Sequence, residues 1–304
     1  MTIPTTTSDG SDLFRLAPGA KVGIIAGGGK LPIEVADALA VQGHPPFVLA
    51  VQGEMDRVAE LARHEHVVMP LEEIGSLIGV LRRHRVTHVV LAGEIRRRPR
   101  LRAMRINAGL FAIALHVVSA LARGGDDGLL KVVVRAFEAR GFKVVGPHEV
   151  VPELVASEGL WTKAAPQKAD WRDIEAARAA AEAIGALDIG QGAVAIGGRA
   201  IALEGIEGTD AMLERVRDLR GHGRLGGKAR GVLVKCAKPG QEMRADMPAI
   251  GPQTVEGAHA AGLAGIAVEA GCSLVLDGPQ MIAHADRLGL FVLGLPAKGK
   301  PHDG

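Results

Sequence analysis

Cysteine, tyrosine and aromatic residues as a class are scarce in this chain: two cysteines, no tyrosine and 3% aromatics among 304 residues. Cys236 and Cys272 alone build no disulfide framework, so a reducing, cytoplasmic setting is the natural reading. A net charge of +2, with no aromatics interleaved among the cations to stack bases, weighs against nucleic acid as a partner. Long apolar runs are missing too. The longest, Phe111–Ala122, is interrupted by His116 and falls well short of the ~20 residues that a membrane span needs. Residues 1–20 are rich in Thr, Ser, Gly and Asp and lack the basic start and apolar core of a secretory signal; they read as a disordered leader. His64 and His66 have no further spaced partner for zinc, and no GxSxG elbow accompanies them, which weakens zinc-hydroxide and serine-hydrolase chemistry.

What is abundant is small and aliphatic: 47% hydrophobic residues and 41 glycines, suited to close helix-on-sheet packing by Ala, Val, Leu and Ile. The length favours two domains. From Lys21, short β-branched runs at 21–26, 47–51, 66–69 and 86–91 alternate with helical stretches at 32–42, 56–63 and 71–84, the pattern of a parallel sheet with right-handed crossovers. Helices at 107–122 and 128–140 and a short strand at 142–145 follow. The fold class expected is α/β: a Rossmann-like parallel sheet over 21–150, a proline-rich linker over 151–166, and a second α/β domain over 167–304, with a ligand cleft between the two. In the second half the pattern predicts a helix at 171–184 capped by Asp170, two strands around a Gly197–Gly198 turn, and a helix at 210–220. A strand at 231–235 comes next, then a helix at 254–261, β-like runs at 265–268 and 273–276, a helix at 279–288 and a last strand at 290–293.

Four segments carry candidate chemistry. Gly27, Gly28, Gly29 and Lys30 follow the first strand and open a helix, where backbone amides and the helix dipole favour an anion. The motif is incomplete. Pro32 stands where GxGxxG has its third glycine, and Leu31 follows Lys30 where a Walker loop has Ser or Thr. Gly93, after the fourth strand, joins these as a substrate-binding candidate, and Glu54 stands only roughly where a dinucleotide fold has its ribose-binding acid. Gly124–Gly128 carries Asp126 and Asp127; one carboxylate suffices as a helix cap, and the other is available to a hard cation or a ribose. Ile206–Asp210 repeats the question, with Thr209 as cap and Glu207 and Asp210 left over. The fourth segment is Lys235–Pro252. A strand delivers Lys235 into a stretch where Pro239, Gly240, Pro248, Gly251 and Pro252 forbid regular structure, with Lys238, Arg244 and Asp246 inside it. Three cations around one carboxylate suit a phosphate and a metal or an oriented water. Cys236 beside Lys235 reads as a buried inert thiol, with a lowered-pKa nucleophile as the minor alternative. Arg96–Arg102 with Arg105 is the one dense charge cluster, a solvated loop or a contact for anionic head groups or substrate phosphate.

Taken in order, Ile24–Pro32, Gly124–Gly128, Ile206–Asp210 and Lys235–Pro252 resemble the metal-dependent UDP-2,3-diacylglucosamine pyrophosphatase family of bacterial lipid A synthesis, which is unrelated to the calcineurin-like phosphoesterases. The resemblance covers about residues 21–291. It implies hydrolysis of the substrate's pyrophosphate to UMP and 2,3-diacylglucosamine 1-phosphate (lipid X), with the carboxylate at Asp246 catalytic and Lys235 and Arg244 beside it. On this reading Gly27–Lys30, Gly93, Asp126, Asp127, Thr209 and Lys238 bind substrate, and Asp246, Asp126 and Asp210 hold Mg²⁺ or a similar divalent ion. It also implies a homodimer and peripheral contact with the inner face of the inner membrane, where an acylated substrate resides. Ala245 departs from the larger apolar residue expected before the aspartate. Two rivals remain at this point: a nicotinamide-dependent oxidoreductase, favoured by the strand–glycine turn–helix start, and a noncatalytic nucleotide- or lipid-binding module clamping its ligand with the cationic loop.

Overall fold

The computed structural model describes residues 16–95, 97, 126–223, 225 and 230–296. The apolar run Phe111–Ala122 and the helix expected at 107–122, residues 1–15 of the leader, Gly124, Gly125 and all of the arginine cluster except Arg97 lie outside them. The chain divides into two compact units. One holds the described residues up to Pro152 together with Glu242–Asp246; the other holds those from Glu153 to Gln241 and from Met247 onward.

In the first unit, β1 (Val22–Ala26), α1 (Leu31–Val41), β2 (Phe47–Val51), β3 (Glu65–Met69), α2 (Ile74–Arg83), β4 (His88–Ala92), α3 (Asp126–Glu138), β5 (Lys143–Val144) and the short α4 (Pro147–Val150) follow in order. The sheet runs β3-β2-β1-β4-β5 with every pairing parallel, the doubly wound order in which ligands gather at the carboxyl ends of the strands. β2 is buried along its whole length, as expected of a parallel strand covered on both faces. Phe47, Leu49, Leu81, Val89, Phe137 and Val144 meet in one core cluster, each large side chain worth about 1.5–3 kcal/mol of apolar burial. The helix expected at 56–63 is instead a single 3-10 stretch, Val58–Arg63, between two adjacent parallel strands; six residues complete too little α-helix to offset the cost of nucleating it.

The second unit contains β6 (Gly159–Leu160), α5 (Lys168–Ala186), β7 (Gly192–Ala195), β8 (Ala200–Leu203), α6 (Gly208–Gly221), β9 (Val232–Lys235), β10 (Ala249–Ile250), α7 (Pro252–Ala260), β11 (Gly265–Glu269), β12 (Leu274–Val275), α8 (Gly278–Leu288) and β13 (Phe291–Leu295). Its six-stranded sheet is mixed, in the order β6-β13-β11-β9-β7-β8. The central three strands are parallel, and β6, β7 and β8 pair antiparallel. Ile174, Ala177 and Ala181 of α5 cover one face; Met212, Leu213, Val255 and Met281 of α6, α7 and α8 cover the other. Alanine at two of these contacts, Ala177 and Ala181, lets α5 lie close to the strands.

The β7–β8 turn is the glycine hairpin expected, with φ of +64° at Gly197 and +77° at Gly198. Asp170 lies inside the first turn of α5 and not at its cap. From there its carboxylate accepts the Gln167 amide at 2.7 Å and both Nε and Nη2 of Arg230, so one buried group closes the helix start and an ion pair together. Asp170 is held below the ordinary carboxylate range: burial acts to raise it, and the bonds from Arg230 and Gln167 outweigh that.

Candidate active site

At the carboxyl end of the first sheet, the glycine turn after β1 is stitched to the turn after β4. Gly27 N–H donates to Ala92 O at 2.8 Å, Gly28 N–H to Glu94 O at 2.7 Å, and Glu94 N–H to Gly28 O at 3.2 Å. A Cβ on Gly27 would stand 2.4 Å from the Glu94 carbonyl oxygen, and one on Gly93, whose φ is +84°, 2.4 Å from that of Gly28. Gly27, Gly28 and Gly93 are thus brought together, and glycine is required because backbone packs on backbone. The Gly27 and Gly28 amides already serve carbonyls. Gly29 N–H faces a carboxylate, Asp56 Oδ1, at 3.2 Å. The Gly29 amide is thus taken by a carboxylate of the chain itself, next to Lys30 at the N-cap of α1. In the first turn of α1, burial pushes Glu34 up to about 7; Lys30 opposes that and Asp37 adds to it.

Beside this turn an open cavity of about 370 Å³ is lined by Gln52, Gly53, Pro70, Glu72 and Arg97 at the ends of β2 and β3. Glu54, considered above for a ribose, is buried, and its Oε1 accepts the Arg97 backbone N–H at 3.1 Å and Arg97 Nε at 2.8 Å.

Asp246 belongs to this first unit. A turn delivers it: Ala245 N–H and Asp246 N–H both donate to Glu242 O, at 2.9 and 3.0 Å. Arg244 locks the turn, its Nε and Nη2 on the two Glu242 oxygens and its Nη1 on Glu138 Oε1 of α3 at 2.7 Å. The Glu242 carboxylate, with Glu138, raises the Arg244 guanidinium above its ordinary value, so the charge on this turn is permanent. Ala245 packs against the Phe47–Phe137 core cluster, where its small side chain is accommodated. Asp126 and Asp127 open the helix, α3, whose far end carries Glu138.

The second unit assembles another group. Lys235 ends β9 almost fully buried, its Nζ donating to Ala249 O at 3.0 Å. Lys238 Nζ donates to Asp188 Oδ1 at 2.8 Å, and Lys238 N–H to Gln241 Oε1 at 2.8 Å. Thr209 is not the cap of α6; that position is Glu207, and Thr209 lies inside the first turn with its hydroxyl donating to buried Glu204 at 2.7 Å. Asp210 Oδ2 accepts Gln253 Nε2 at 3.0 Å. Burial, with Glu269 adding to it, pushes the Cys236 thiol up to about 12, which makes it an inert core group. Among the described residues no three His, Cys, Asp or Glu side chains form a metal-holding group, and no helix is long and apolar enough to cross a membrane.

Sequence reasoning missed Asp56, Gln253 and above all Glu204. Glu204 directly follows the apolar strand β8 and stands one glycine before the Ile206–Asp210 segment; its signal was a lone acid at the end of an apolar run, easily read as a solvated strand end.

Comparison with known proteins agrees with the two-unit layout. Residues 21–154 match the LpxI N-terminal domain and residues 157–293 the LpxI C-terminal domain. UDP-2,3-diacylglucosamine pyrophosphatase LpxI of Caulobacter vibrioides is 42% identical over 288 residues, covering 92% of this chain and 99% of the relative. Among solved structures, CobK precorrin-6A reductase aligns over 93% of this chain and 90% of its own with a TM-score of 0.29 and 13% identity, a likeness too slight to carry an argument. Two domain matches in order, and a relative matched along nearly its full length, mean that the chain belongs to the LpxI family.

Proposed function

We propose that this chain hydrolyses the pyrophosphate bond of UDP-2,3-diacylglucosamine, releasing UMP and 2,3-diacylglucosamine 1-phosphate in lipid A synthesis. The observation that carries the reading is the 42% identity with the Caulobacter pyrophosphatase through 99% of that protein's length. The chemistry asks mainly for charge neutralisation and alignment, because an anionic pyrophosphate repels a nucleophile. Water adds its oxygen to one phosphorus, the bridging P–O bond breaks, and the water gives up a proton. We assign Asp246 to hold that water and take its proton, supported by the locked turn that fixes its backbone. Lys235, Lys238 and Arg244 offset charge on the phosphates; Gly29 N–H and Lys30, at the start of α1, are a second anion-binding point.

Asp246, Asp210 and Asp126 are oxygen donors of the kind a hard divalent ion takes, and on that ground the reaction is read as Mg²⁺-dependent. When bound, such an ion masks phosphate charge. We extend the reading to a homodimer, on the family likeness alone, and to contact between the Arg96–Arg102 stretch and anionic head groups, on the ground that the substrate is acylated.

The test is UMP release by the purified protein, with and without chelator. Asp246→Ala is expected to lower turnover by at least about a thousandfold, the scale of losing a general base together with its positioning, while melting with the wild type and still binding substrate. Turnover by that variant within tenfold of the wild type removes Asp246 from the mechanism, and activity indifferent to chelator removes the metal.

A further inference from the structure

In the second unit, three residues stand side by side in one row across the strands. Glu204 N–H donates to Gly192 O at 2.8 Å, continuing the β8–β7 ladder, and Gly192 is the register partner of Lys235 on β9. Directly opposed residues of antiparallel strands project to the same face. Here it is the face of Val194, Ala202 and Leu233, two residues along each strand and covered by α6, α7 and α8. Glu204 and Lys235 are thus two strands apart on one covered face, with a glycine that has no side chain between them.

Both groups are only half-satisfied. Glu204 and Lys235 are each 6% exposed. Glu204 Oε1 receives the Thr209 hydroxyl, yet Oε2 is buried without a hydrogen-bond partner. Oε2 lies over the glycine, 2.6 Å from where a Cβ on Gly192 would be, on the way from β8 toward β9. Lys235 Nζ has the single acceptor Ala249 O for three N–H donors, and among the described residues no ion pair joins it to Glu204. A buried carboxylate oxygen left open is costly, and such gaps in a folded protein call for an occupant.

We propose that Glu204 is a substrate-binding residue: its Oε2 accepts a hydroxyl or amide N–H of a phosphorylated sugar whose phosphate is met by Lys235 Nζ. The glycine between them lets the Glu204 carboxylate lie across β7 toward Lys235, Thr209 fixes that carboxylate by its other oxygen, and the position is the carboxyl end of the parallel strands β9, β11 and β13, where α/β sheets receive ligands. The proposal rests on the hydrolase reading for its choice of ligand. Two parts of that substrate share the required chemistry, the ribose phosphate of UMP and the glucosamine phosphate.

The test compares wild type with Glu204→Gln, which keeps size and the Thr209 bond but turns the open acceptor into a donor. Calorimetric titration with UMP and, separately, with glucosamine 1-phosphate is expected to show roughly ten- to hundredfold weaker binding of one of them by the variant. The ligand affected identifies the sugar. In UMP release the same change is expected as a rise in KM with kcat within about twofold of the wild type, a split that mere loosening of the fold would not give. A variant that binds both phosphates as the wild type does, or a wild type that binds neither, overturns the proposal. If Glu204→Gln does not fold, Thr209→Val frees the same carboxylate from its tether and is expected to weaken the same ligand severalfold; unchanged binding again overturns it. Failure of the hydrolase reading has a different signature: no UMP release by the wild type, with the Glu204-dependent binding intact.

Discussion

Replacing Gly93 by alanine is the sharpest test of how the first unit builds its site. The residue has φ of +84°, in the left-handed region, where a Cβ costs about 1–2 kcal/mol. The new Cβ would also stand 2.4 Å from Gly28 O and 2.9 Å from Gly27 C, a collision with backbone that no rotamer change relieves. One turn must retreat, and with it go the Gly27–Ala92 and Gly28–Glu94 hydrogen bonds, each about 0.5–1.5 kcal/mol. The expected total is about 3–4 kcal/mol. Gly43→Ala is the control: its φ is +82°, but nothing lies within 4 Å of its Cβ position, so only the conformational cost applies. Because two units need not unfold together, hydrogen exchange read on peptides covering β1 and β4 is a better assay than one global midpoint. The excess of about 2 kcal/mol predicts that Gly93→Ala accelerates exchange there roughly thirtyfold more than Gly43→Ala. Equal acceleration by the two variants would refute the claim that these glycines exist for the crossing of two turns.

Glu34 predicts a pH dependence with a definite sign. Its folded-state pKa of about 7 lies above the ordinary 4.5, so the folded form keeps a proton that the unfolded form loses, and stability falls as pH rises from about 4.5 to 7 and is level above. Glu34→Gln is therefore expected to gain on the wild type between pH 5 and pH 8 in urea midpoints, and parallel curves would exclude it. Cys236, with its thiol at about 12, is expected to resist alkylation at pH 8 in the folded protein, and Cys236→Ala to keep UMP release within about twofold; a large loss would restore the nucleophile reading set aside above.

Much of the fold was legible because each half repeats one physical pattern. Buried parallel strands such as Phe47–Val51 are uniformly apolar, and the helices between them carry apolar faces such as Met212, Leu213 and Val216, so the strand–helix alternation could be followed by eye. Ends were less legible where side chains replaced the usual caps: Asp170 acts from within its helix because Arg230, sixty residues away, fixes it there. β6 fell in the stretch expected to be a linker. A two-residue strand held by pairing with β13 has no period of its own to display.

Candidate site residues could be picked out by type, but not how the fold groups them, and the reason is register. Lys235–Pro252 reads as one loop, yet Glu242–Asp246 folds with the first unit while Lys235 and Lys238 fold with the second. The Glu242–Asp246 turn is tied to the first unit by the ion-pair chain Glu242–Arg244–Glu138, whose last member lies 106 residues from Arg244, and by Ala245 against the Phe47–Phe137 core. Local composition suggested that Arg244 faces a phosphate. Its three guanidinium bonds, to carboxylates on both sides, make it first the clamp that fixes the turn bearing Asp246. Glu204 shows the converse. Nothing near it in sequence marks it, and its open oxygen becomes meaningful only when β8, β7 and β9 set it, a glycine and Lys235 in one row. Chemistry that depends on a single residue type can be read along a chain; chemistry that depends on two half-satisfied groups meeting needs the sheet.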